Sequence, residues 1–116
     1  MFNKLRTVVY YVNDINAAKE WYKQVTGKDP YYDTPYYVGF DINGFELGLH
    51  PSDEHTQAGN HTASYWAVDD IQASFEKLKS LGAKVAQEIS DVGDGIKVAT
   101  LEDPFGNHVG LINGAN

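Results

Sequence analysis

The chain contains no cysteine. That excludes a disulfide framework, a thiolate metal site and a cysteine nucleophile. It has no run of about 18 apolar residues, so no segment reads as a membrane-spanning helix. Residues 1–6, Met1 to Arg6, lack the apolar stretch of a secretion signal, and the expected location is the cytoplasm. Basic residues are scarce: nine Lys and Arg stand against 16 Asp and Glu, for a net charge of −7. They gather into no stripe, and a phosphate backbone would be repelled, so nucleic acid is not an expected partner. No serine lies in a G-x-S-x-G context, and Gly93-Asp94-Gly95 has no phosphate-loop spacing.

What the chain does have is a repeat. Thr7 to Ile15 matches Ala63 to Ile71 at an offset of 56, and Gly44 to Leu49 matches Gly106 to Leu111 at an offset of 62. At 116 residues the whole is expected to be one domain, 1–116, with a modest core. It divides into a module 1–50, a polar linker 51–60 and a module 61–116.

Residues 5–12 form a β-branched and aromatic run that reads as a strand. Asn13-Asp14 offers a helix N-cap, and Ile15, Ala18, Trp21, Tyr22 and Val25 recur at helical spacing until Gly27. Strands 36–42 and 45–50 meet at Asn43-Gly44, a hairpin signal. The second copy repeats the order: strand 62–68, helix 70–81 ended by Gly82, then strands near 83–89, 95–102 and 107–112. The expected fold is α+β, with two tandem β-α-β-β-β modules.

Aromatic residues make up 13% of the chain, with Tyr10-Tyr11, Tyr31-Tyr32 and Tyr36-Tyr37 in pairs. Strand neighbours point to opposite faces. Tyr10 and Trp66 are therefore expected beneath the helices, with Tyr11 and Tyr65 on the other face. Trp21 and Tyr22 are expected in the core or in a dimer contact.

The duplication, the Val-Asx-Asp-Ile helix start and the closing Glu102-Asp103-Pro104-Phe105-Gly106-Asn107-His108-Val109-Gly110-Leu111-Ile112 resemble the glyoxalase I/bleomycin-resistance/extradiol dioxygenase superfamily. The resemblance covers nearly the whole chain. It implies curved half-barrel sheets around a cleft, and a homodimer. Enzymes of this family hold a divalent metal with four side chains. Carried over by motif, those positions fall on Thr7, Gly48, Ala63 and Gly110. A divalent ion needs several O or N donors at about 2–2.5 Å. Thr, Gly, Ala and Gly do not supply them, so no metal or other cofactor is expected.

Glu46, Gly48 and His50 share one face of a strand, as do His108, Gly110 and Ile112. Glu46, His50 and His108 either meet a ligand or sit at a watery rim. Tyr11 and Tyr65 either form a stacking wall for a planar or cationic ligand or fill the core. Gly48 and Gly110 read as vacated space. His55 and His61 match no ligand spacing and read as solvated loop residues. The leading expectation is a metal-free protein that binds a small organic molecule, like the antibiotic-resistance members. Its expected site is Tyr11, Tyr37, Glu46, His50, Tyr65 and His108. One alternative is a metal-dependent lyase, isomerase or dioxygenase using Glu46, His50 and His108 in a shifted register. Another is metal-free acid–base catalysis by a histidine and a tyrosine.

Overall fold

The computed structural model describes residues 1, 3–54, 58–59 and 64–114. The chain forms two compact units, residues 1–58 and 59–116. Each carries one helix and one mixed four-stranded sheet. None of the described helices is long and apolar enough to cross a membrane.

In the first unit β1 (Thr7–Val12) leads into α1 (Ile15–Thr26), then β2 (Tyr32–Asp33), β3 (Val38–Ile42) and β4 (Phe45–Pro51). The sheet order is β1-β4-β3-β2. β1 runs parallel to β4, with Val9 opposite Gly48 and Tyr11 opposite His50. β3 and β4 form an antiparallel hairpin in which Gly39 faces Gly48. Its turn is Asn43-Gly44, with φ of 52° and 90°. Two positive φ values match the twist of the flanking strands, and Asn-Gly meets that demand with least strain.

Asp14 caps α1 by accepting a hydrogen bond from the Ala17 N–H at 3.0 Å. The helix lays Ala18, Trp21 and Tyr22 on the sheet. They bury Tyr10, Val12, Val38, Phe40, Leu47 and Leu49. Each large apolar side chain so buried contributes about 1.5–3 kcal/mol. Tyr10 lies 5.9 Å from Tyr22 between ring centroids, so it is packed under the helix as its parity predicts. Trp21 and Tyr22 belong to this core.

The second unit repeats the plan with β5 (Tyr65–Ala67), α2 (Ile71–Ser80), β6 (Lys84–Gly93), β7 (Ile96–Glu102) and β8 (His108–Asn113), in sheet order β5-β8-β7-β6. Asp70 caps α2 as Asp14 caps α1, accepting from the Ala73 N–H at 3.1 Å. Ile71, Phe75 and Leu78 cover Ala99, Leu101, Val109 and Leu111. The Asp-Pro-Phe-Gly-Asn segment is a turn whose two ends, Asp103 and Asn107, are buried while Pro104 is exposed. Asp103 Oδ1 accepts from the N–H of Phe105 at 2.9 Å and of Asn107 at 2.8 Å. Asn107 Oδ1 accepts from Gly59 N–H at 3.2 Å, tying this turn to the start of the unit. The motif is thus explained by backbone satisfaction.

The second strand of each module differs most. β2 has two residues and β6 has ten. The sequence reading ended β6 near residue 89, four residues short, because Ser90 to Gly93 carry no strand-forming alternation yet pair with Ile96 to Val98.

Candidate ligand-binding face

The face of the first sheet opposite α1 is built from residues two apart on each strand: Thr7, Val9 and Tyr11 on β1, Glu46, Gly48 and His50 on β4, and Gly39 and Asp41 on β3. Gly39 and Gly48 face each other across the hairpin and leave the centre bare of side chains. Two tyrosines cover it. A side chain started at Gly39 would meet Tyr31 Cε1 at 3.2 Å. One started at Gly48 would meet Tyr37 Cζ at 2.7 Å and Cε1 at 2.9 Å. The expectation that Gly48 is vacated space is therefore corrected: the residue is small because Tyr37 crosses it.

Both hydroxyls converge on one carboxylate. Tyr31 Oη donates to Glu46 Oε1, and Tyr37 Oη donates to Glu46 Oε2. Each oxygen takes one phenol, so the carboxylate is clasped from two sides. The Glu46 side chain is 13% exposed, and Arg6 Nη2 stands 3.9 Å from Oε1 with its own side chain 70% exposed. The Tyr31 phenol, then the Tyr37 phenol, hold the Glu46 carboxyl below its usual range, against the desolvation that acts the other way. Burial, then the bond to Glu46, raises the Tyr37 phenol. The bond to Glu46 is the main cause that raises Tyr31. Tyr32 adds a third ring, 6.1 Å from Tyr37 between centroids.

Further along the same face Tyr11 and His50 lie side by side, with ring centroids 5.1 Å apart at 55°. His50 Nδ1 is 2.8 Å from the Pro51 carbonyl oxygen. A neutral ring in that position donates from Nδ1 and leaves Nε2 as its acceptor. Of the expected residues, the first unit thus joins Tyr37 to Glu46 and Tyr11 to His50. It holds Glu46 and His50 apart, since four strand residues span about 13 Å.

In the second unit Tyr65 and His108 lie on the face opposite α2. Tyr65 stands beside Gly110, and His108 is opposite Glu102. A side chain at Gly110 would meet the Ser64 carbonyl oxygen at 2.5 Å and Tyr65 Cδ1 at 2.7 Å. Gly110 is not vacant either. Trp66 has the opposite parity and pairs with Leu111. His55, His61 and Ala63 lie outside the described residues. Tyr31 and Arg6 escaped the sequence reading. The signal for Tyr31 was present, as a second tyrosine pair just before the hairpin, but nothing marked the glycine beneath its ring.

A family profile, that of the Glyoxalase/Bleomycin resistance protein/Dioxygenase superfamily, matches residues 4–111. The chain belongs to this superfamily. No curated protein matches the chain closely enough to add to that. Among solved structures, this superfamily member is similar to a glyoxalase-related enzyme from Fulvimarina pelagi, at 16% identity and TM-score 0.81, over 97% of this chain and 89% of that one. It is also similar to a glyoxalase/bleomycin resistance protein/dioxygenase family enzyme from Burkholderia phytofirmans PsJN, at 20% identity and TM-score 0.80, over 96% and 98%. A lactoylglutathione lyase from Agrobacterium tumefaciens matches at 19% identity and TM-score 0.76, over 98% and 96%. At these identities the likeness is one of fold.

The metal of the superfamily's enzymes does not fit the residues present. Gly48 and Gly110 have no side chain and are overlain by tyrosines. The Thr7 hydroxyl already accepts from Arg6 Nη1 at 3.0 Å. Among the described residues no three His, Cys, Asp or Glu side chains are grouped as a metal would need.

Proposed function

We propose that this superfamily member binds a small organic molecule, aromatic or cationic, and does so without a metal. The observation that carries the reading is the tyrosine laid over Gly48, the position where relatives would project a ligand to the ion. The face around it offers flat apolar area from Tyr11, Tyr31 and Tyr37, with Glu46 and His50 as polar groups that fix orientation. Action is by sequestration, in a homodimer, with affinity from apolar burial and stacking. A gently purified sample studied by native mass spectrometry is expected to show two chains per particle, free of divalent ions and bare or carrying an organic mass. Binding of that molecule should survive a chelator and weaken in Tyr11→Ala. Loss of binding on chelation overturns the reading.

One observation favours a second reading, metal-free acid–base catalysis. The Pro51 carbonyl supports the His50 tautomer whose Nε2 can accept a proton. Turnover of the recovered molecule, lost in His50→Gln with binding kept, would select it.

A further inference from the structure

We infer that the Tyr31–Glu46–Tyr37 clasp is the recognition site for an organic ammonium ion, and that Arg6 is the chain's own competitor for it. The inference rests on the small-molecule reading and assigns the ligand's charge. A carboxylate has about four lone-pair directions, and the two phenols use one on each oxygen. The remaining directions accept a donor but repel an anion. The phenols also keep the carboxylate ionised, as the lowered Glu46 carboxyl records.

The walls are right for an organic cation. Tyr31 and Tyr37 spread their rings over the glycine pair, and Tyr32 stands 6.1 Å from Tyr37. Aromatic faces attract ammonium groups, most strongly where water is thinned out. A divalent metal is disfavoured by the same geometry, because one carboxylate and two neutral phenols are a poor ligand set. The net charge of −7 draws cations toward the surface in general.

Arg6 shows that a cation can reach the carboxylate and how loosely. Its guanidinium lies 3.9 Å from Oε1, beyond hydrogen-bond distance, while 70% of the side chain stays in solvent. Its nearer bond is to Thr7. A ligand ammonium can take the acceptor positions that Arg6 approaches without filling.

The test is an amide NMR titration of the full chain with tetramethylammonium chloride and, separately, benzylammonium chloride, against sodium chloride at equal ionic strength. Saturable shifts centred on Gly39, Glu46 and Gly48 are expected with an ammonium and not with sodium. Glu46→Gln should weaken binding about tenfold. Arg6→Ala, at an exposed side chain, should tighten it about threefold. Benzylammonium acting alone, with neutral benzyl alcohol giving no saturable shifts, would assign recognition to the N–H donors, and tetramethylammonium binding as well would assign it to the rings; equal binding of benzyl alcohol would overturn the assignment of charge. Absence of saturation with both, equal binding by Glu46→Gln, or no gain in Arg6→Ala overturns the inference. A neutral organic mass retained in native spectra would then leave the metal-free binding reading standing, so the two fail separately.

Discussion

Along β4 the first unit presents Glu46, Gly48 and His50; along β8 the second presents His108, Gly110 and Ile112 at the same places. Both central residues are glycines, and both are overlain by a tyrosine. The tyrosines come from different places. Tyr37 reaches over from the segment before β3, and its hydroxyl ends on Glu46. Tyr65 belongs to β5 itself and stands directly beside Gly110. One backbone plan has thus been closed twice by the same residue type through unrelated routes. In the first unit the closure leaves a charged, hydrogen-bonded group on the face. In the second it leaves an imidazole opposite a carboxylate.

The largest expected difference between the units lies at the glycines. Gly110→Ala should cost about 3 kcal/mol in chemical denaturation, because the new carbon meets the Ser64 carbonyl, which is backbone and hydrogen-bonded to the Gly110 N–H at 2.8 Å. Gly48→Ala should cost about 1–2 kcal/mol, since the obstacle is the end of the Tyr37 side chain. Tyr37→Ala should relieve Gly48→Ala, whereas Tyr65→Ala should leave most of the Gly110→Ala penalty. Equal costs and equal rescue would erase the distinction.

Next come the caps, where the units should agree. Asp14→Ala and Asp70→Ala should each cost about 1 kcal/mol, because both carboxylates make the same bond to the third helical N–H. A marked inequality in denaturation midpoints would show that one helix docks more tightly. Tyr37→Phe, which breaks one of the two bonds to Glu46, should cost about 1 kcal/mol. Tyr31→Phe should cost less, since Tyr31 is 61% exposed.

The smallest effect is the dependence on pH. Glu46 has its carboxyl lowered in the folded state, so its contribution is complete above the ordinary value of 4.5 and is lost as pH falls through the lower folded value. The phenols are raised, so theirs is complete below the ordinary value of 10.0 and is lost as pH rises through the higher folded values. A Tyr31→Phe, Tyr37→Phe double variant should therefore show a flatter stability profile at both ends, read by urea midpoints across pH. An unchanged profile would mean that the clasp contributes nothing to folding.

Much of the fold was legible because its signals are local. Asn43-Gly44 turns where it should, Asp14 caps its helix, and the helix-facing and outward-facing residues follow strand parity. The placement of Tyr11 beside His50 follows from the same parity. What escaped was long-range. β2 has two residues, too few to show a period. The Tyr31 bond to Glu46 joins residues 15 apart through a hairpin register that sequence alone does not give. Gly48 and Gly110 were read as empty because a glycine in a strand looks the same whether a ligand or a neighbouring ring lies above it.

β6 runs at the edge of its sheet, ten residues long and almost wholly exposed. Such an edge is a template on which another chain can add strand upon strand toward aggregation. Here the pairing with β7 shifts register between Val85 and Gln87, between Gln87 and Ser90, and between Asp91 and Gly93. Each shift bends the strand and breaks the even row of free backbone groups, while Lys84, Glu88 and Asp91 put charge along it. The irregularity of that strand is the chain's protection against its own polymer.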